Sequence, residues 1–183
     1  MLKALWFVAA AAAALVTEPA GAAPDPRSAD AVTAFGDLCV SLFTANRQSA
    51  VDPTRFAVTK ISEQSARKIK PDVKGPLWDV SGTKSDVRML VHYEPAGLCV
   101  VEVAEADQAA LRAGFERLVQ QTSTTLGSVA RRAPDKRNRI EAKDATTSMW
   151  RMASPKGDIM LAVTTYPDAK YMIQHLMTAS FVK

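Results

Sequence analysis

The chain has 183 residues, with 23 Lys and Arg against 19 Asp and Glu and only two cysteines and two histidines. That length supports one domain, and the formal net charge of +4 does not describe a generally basic surface. Six cations (Arg131, Arg132, Lys136, Arg137, Arg139 and Lys143) against Asp135 and Glu141 carry all of it, and the rest of the chain balances.

The N-terminus carries Lys3, an apolar run from Ala4 to Val16, and the small residues Ala20-Gly21-Ala22. The run is shorter than the roughly 20 residues a membrane-spanning helix needs, and the small-residue pattern is what a signal peptidase requires. The expectation is a signal peptide over residues 1–22, cut before Ala23, and a periplasmic or secreted product. No cysteine near the cut could take a lipid, no twin Arg precedes the run, and no later stretch reaches membrane-spanning length.

An exported chain with two cysteines is expected to pair them, because the compartment oxidises exposed thiols. From Ser28, a candidate N-cap, Val32, Phe35, Leu38, Cys39, Leu42 and Phe43 recur at helical spacing, so Cys39 lies on a buried face. Residues 53–70 are poor in apolar groups and read as a short exposed helix, ended by Pro71, Gly75 and Pro76. A brief strand follows around Trp78.

Residues 86–94 and 98–103 form an expected hairpin around Glu94-Pro95-Ala96-Gly97, with Cys99, Val101 and Val103 on one face. A helix packed there would let Cys39 meet Cys99. A second helix begins at Asp107, shows Leu111, Phe115, Leu118 and Val119 at helical spacing, and stops near Gly127. The basic stretch, with Pro134 and no apolar period, reads as an exposed loop over 128–144. Residues 146–153 and 159–166 form a second expected hairpin, and 171–182 is read as a strand, with a short helix followed by a strand as the alternative.

These elements make a single domain over 23–183 of the α+β class. Its expected form is two main helices on an antiparallel sheet of about five to six strands, in the order helix, strands, helix, strands. The helices echo one another in Phe35-x-x-Leu38-Cys39 and Phe115-x-x-Leu118-Val119. Any two amphipathic helices can do so, and the echo does not establish related halves.

Chemistry has few candidates. His92 and His175 are both read into strands, where a solvent-facing histidine beside an acid needs no special role. A metal site joining them to Glu94 or Glu102 has no spacing motif behind it. Glu102, Glu105 and Asp107 cluster at a strand end, but capping the next helix explains Asp107. Signatures of serine hydrolases, zinc proteases, phosphate loops and thiol redox enzymes are absent from the sequence, and no cofactor is named by it. Five methionines (Met149, Met152, Met160, Met172 and Met177) gather in the last third, where core filling is the simpler reading.

The basic segment suits an acidic protein partner or the anionic envelope surface. Nucleic acid is not expected, since export separates the two and no aromatic ring for stacking occurs before Trp150. Trp150 joins Arg131, Arg132, Lys136, Arg137, Arg139 and Lys143 as a candidate contact residue.

Phe35-x-x-x-Cys39, Gly97-Leu98-Cys99-Val100-Val101 and the helix from Asp107 together resemble small uncharacterised exported proteins of alphaproteobacteria. The resemblance spans about half of the chain after the signal segment. It implies a disulfide-tied α+β domain and adds nothing on catalysis. The leading expectation is a non-enzymatic binding or interaction protein of inhibitor or immunity type. The alternative is a cell-envelope hydrolase using His92 or His175 with nearby carboxylates.

Overall fold

In the computed structural model the described residues are 25–44, 51–140, 143–167 and 173–182. The expected signal segment, Tyr171 and Met172 lie outside them. Helix α1 (Pro26–Phe35) starts one turn earlier than the Ser28 cap suggests: the Asp25 carboxylate accepts from the Ser28 amide, and Pro26 occupies a first-turn position that needs no N–H. The chain continues through a five-residue π turn, Gly36–Val40, into α2 (Ser41–Thr44). In that turn Leu38, Cys39 and Val40 are all buried. A regular α-helix would aim one of three consecutive residues away from the core.

The strands are β1 (Phe56–Lys60), β2 (Leu77–Gly82), β3 (Arg88–Glu94), β4 (Leu98–Val103), β5 (Arg131–Arg132), β6 (Lys136–Ile140), β7 (Lys143–Ser154), β8 (Gly157–Thr165) and β9 (His175–Phe181). They form one antiparallel sheet in the order β1-β2-β3-β4-β9-β8-β7-β5, with β6 also paired to β7. Among the described residues, nine strands replace the expected five to six. The additions come from β1, in a segment read as helix, and from β5 and β6, in the segment read as a loop over 128–144. Only residues Glu63–Ile69 of the expected 53–70 helix are helical, as α3. The C-terminal strand is present from His175 onward.

Helix α4 (Gln108–Thr125) is capped by the Asp107 side chain, which accepts from the Ala110 amide at 2.7 Å. It ends where Gly127 takes φ +61°, with the Ser128 amide donating back to Ser123 at 2.9 Å. Helices α1 and α4 run parallel and in register on one face of the sheet. Asp25 meets Asp107 at their starts, and Phe35 and Phe115 lie further along with ring centroids 5.4 Å apart. Gly36 and Gly114 allow this approach, since a Cβ at Gly36 would sit 3.3 Å from Leu118 and one at Gly114 would sit 3.2 Å from Val32. The sequence echo between the helices is thus a packing register: the repeated phenylalanines are neighbours.

Parallel helices bring two partially positive N-termini together, an arrangement that repels unless an anion lies between them. Asp25 is that anion. Its Oδ2 accepts from the Ser28 amide at 3.1 Å, the Ser28 hydroxyl at 2.7 Å and the Asp107 amide at 2.8 Å, while the Ser28 hydroxyl also lies 3.0 Å from the Asp107 carbonyl oxygen.

Strand alternation divides the sheet. Val91, Val101, Met177, Val163 and Met152 face the helices and are buried. Cys39 joins Cys99 in a disulfide with a Cα–Cα separation of 5.4 Å, tying the π turn to β4 as expected. On the other face the register aligns Leu77, His92, Val100, Thr178, Ala162 and Met149 in one row across six strands. The methionines therefore divide: Met152 and Met177 fill the core, and Met149 and Met160 lie half-buried on the opposite face.

Two consequences are measurable. Closing a loop of 60 residues, the bond removes about 4 kcal/mol of denatured-state freedom, so reduced protein should unfold at correspondingly lower urea. Alkylation of two thiols without reductant would contradict the bond. For Asp25, burial works to raise the carboxyl pKa, but hydrogen bonds from Asp107, Ser28 and Arg27 outweigh it and hold it at about 2 against 3.8. A depressed folded value stabilises fully above the unfolded value and is lost as pH falls through the folded one. Asp25→Asn should therefore cost about 2 kcal/mol at about pH 5, with the gap narrowing toward about pH 2. A pH-independent gap would show that the side chain acts only by shape.

Candidate functional site

The basic stretch is the outer edge of the sheet beyond β7, because Arg131 and Arg132 pair with Arg151 and Trp150, and Lys136 to Ile140 pair with Thr147 to Lys143. A Lys- and Arg-rich run has no apolar alternation to betray a strand. Charged side chains are nevertheless what an edge strand needs to discourage pairing with another copy. Among the described residues, β5 and β6 pair with β7 alone.

Alternation sorts the cations to different faces. Arg132, Arg137 and Arg139 stand opposite Trp150, Thr146 and Asp144, on the helix side, whereas Arg131 and Lys136 stand opposite Arg151 and Thr147, on the other. Arg132 stays exposed while it packs over the core: its guanidinium carbon lies 5.3 Å from the Trp150 ring centroid, and it pairs with Asp135 at 3.1 Å and Glu116 at 3.7 Å. Lys143 begins β7. Arg131, Lys136 and Arg137 are exposed.

Trp150 leaves the list of contact residues. It is 3% exposed and packs against Phe115 at 5.6 Å between ring centroids, so it belongs to the core. The acid inside the run has the opposite role to the cations. Arg112 of α4 donates to Asp135 at 2.9 Å and to Ser148 at 2.9 Å, fastening the edge to the helix layer. Burial opposes ionisation of Asp135, but hydrogen bonds from Ser148, Arg112 and Arg132 keep its carboxyl below the usual carboxylate range.

The two histidines do not converge. His175 points to the helix side, fully buried, with Nε2 2.9 Å from the Ala106 carbonyl oxygen and Nδ1 without a hydrogen-bond partner. That geometry makes Nε2 the protonated nitrogen, donating to Ala106. His92 lies on the other face, in the row with Leu77 and Val100. The acids diverge as well: Asp107 caps α4, Glu105 pairs with Arg27 at 2.9 Å, and Glu102 is buried against Lys70 at 2.8 Å. Among the described residues no group of three or more His, Cys, Asp or Glu is placed to hold a metal ion. Among them too, no helix is long and apolar enough to cross a membrane.

Sequence reasoning missed a second group of cations, around α3. Lys60, Arg67, Lys70 and Lys74 line a cavity between the end of β1, α3 and the connection to β2. The whole-chain charge sum hid them, because acids elsewhere cancel them. Spacing offered no signal either, since they come from a strand end, a helix and a loop.

Burial lowers the pKa of both histidines; at His175 the hydrogen bond with Ala106 opposes this in part, and at His92 the nearby Glu102 charge does. Each therefore takes up a proton less readily when folded, and the unfolded chain binds more protons as pH falls through about 6.5. Stability should decline from about pH 6.5 downward. His175→Gln, which retains a donor for Ala106, should flatten the part of that decline above about pH 5, and His92→Gln should flatten it further, leaving the carboxylate-driven loss below. An unchanged slope in the double variant would assign it to other groups. No family model, no curated protein and no solved structure matches the chain.

Proposed function

We propose that the chain is an exported binding protein, of inhibitor or immunity type, that takes an acidic protein partner along its basic β5–β6 edge and carries out no turnover. The observation that supports this is the placement of three exposed cations, Arg131, Lys136 and Arg137, on an outermost pair of strands. An edge offers backbone donors and acceptors to an incoming extended segment. Like charge turns away a second copy of this chain, and an acidic segment is drawn in. The anchoring of the edge through Arg112 and Asp135 supports the reading, since a fixed edge loses little freedom on binding. The export part of this reading is supported by Lys3, the apolar run to Val16 and the small residues before Ala23.

The test is cross-linked recovery of partners from a cell-envelope extract, using the natural protein and a variant carrying Arg131→Glu, Lys136→Glu and Arg137→Glu. The natural protein should enrich an acidic protein, and the variant should lose at least about tenfold of that binding, worth about 1.4 kcal/mol. Added salt should weaken the interaction as well. Recovery that is equal with the variant, or binding only to anionic lipid vesicles, would overturn this assignment.

A further inference from the structure

We propose that the cavity beside α3 is a binding site for a small amphiphilic organic anion, a carboxylate or phosphate head on an apolar body. Four cations, Lys60, Arg67, Lys70 and Lys74, and one acid, Glu63, line it, and its volume is about 460 Å³. That volume is within the range of small-molecule sites. Ile61, Ala66, Val73 and Leu77 supply apolar lining.

What sets this place apart from the other exposed cations, Arg131, Lys136 and Arg137 among them, is that its cations gather on one hollow with apolar lining. Elsewhere Arg27 pairs with Glu105, Arg55 with Asp30, Arg112 with Asp135 and Arg151 with Asp158. Around the cavity Lys60 and Lys74 have no ion-pair partner among the described residues, and Arg67 has only a 3.8 Å approach to the exposed Glu63. Asp72 belongs to the same connection but does not line the cavity. Three cations gathered on one hollow repel each other, and an anionic head seated among them relieves that repulsion. Arg67 supplies a planar fork for two oxygens, while the lysines supply point charges.

The fourth cation shapes the wall. Lys70 donates to Glu102 Oε1 at 2.8 Å, on a carboxylate buried in the sheet, and so fixes where the connection lands on β4. Gly75 brings the same connection onto β3, since a Cβ there would lie 1.9 Å from the Tyr93 carbonyl oxygen. The connection that forms one wall of the cavity is therefore seated on the sheet at two points.

Calorimetric titration of the purified protein with hexyl phosphate tests the proposal. Saturable binding is expected with a Kd below about 1 mM, and inorganic phosphate should bind about tenfold more weakly because it leaves the apolar lining unused. A variant carrying Lys60→Ala, Arg67→Ala and Lys74→Ala, all exposed positions, should lose at least about tenfold of the affinity with an unchanged circular dichroism spectrum. The edge variant at Arg131, Lys136 and Arg137 should bind as the natural protein does. Equal loss in both variants would mean unspecific attraction and overturn the site. So would binding to phosphatidylglycerol vesicles without any to soluble hexyl phosphate.

Discussion

Two helices laid parallel on a sheet present a problem that antiparallel neighbours avoid: their positive ends coincide. Asp25 answers it by placing one carboxylate oxygen against amides of both first turns. The parallel arrangement in turn sets the helix register, which brings Phe35 onto Phe115 and Phe115 onto Trp150. From there the core runs across β7, β8, β9 and β4 to the disulfide. Remove the carboxylate and the aromatic stack loses the feature that aligns it. The π turn belongs to the same chain of dependence, since it delivers Cys39 to β4 while leaving the preceding helix in register with α4.

With one face of the sheet committed to helices and a covalent tie, the remaining surfaces are the ones that the proposed binding function can use. Two of these are cationic and lie apart in the strand order, one at the β5–β6 edge and one beside β1 and α3. They differ in kind. The edge presents side chains to both faces and a strand backbone outward, which suits an extended polypeptide. The α3 group surrounds a hollow, which suits a small molecule. A single net charge of +4 conceals this, because Asp and Glu distributed over the rest of the chain cancel the second group.

Features resting on apolar periodicity were legible in the sequence. The Cys39 stripe and the 98–103 strand follow from spacing, because burial of a helix or strand face leaves a repeat; the bond between the cysteines comes from their number and the expected compartment, and spacing only gives it a geometry. The features that went unread are those where polar chemistry overrides the repeat. β6 is Lys-Arg-Asn-Arg-Ile, a strand whose exposed positions are charged because it is an edge, and β1 has four exposed residues out of five for the same reason. Asp25 was passed over because Ser28 is an equally good cap by type. What separates them is the Asp107 amide, far away in sequence, which only the fold supplies. Nearness to cations makes Trp150 a candidate contact residue, yet the face of a buried tryptophan is also where an exposed arginine packs from outside.

The Lys70–Glu102 pair shows how a costly contact can be structural without being chiefly stabilising. Burying a carboxylate in a sheet costs several kcal/mol, and one ammonium partner at 2.8 Å offsets that only in part while Glu102 Oε2 has no hydrogen bond. An apolar residue at this place would serve stability at least as well. What it could not do is specify where a polar, largely exposed connection lands. The α3 segment has no buried residue of its own, so apolar packing cannot position it. A directional ion pair at one point and the close approach of Gly75 at another do so instead. The positioning is thus local to the segment that carries the second cationic group, and the sheet beneath it would fold without the pair.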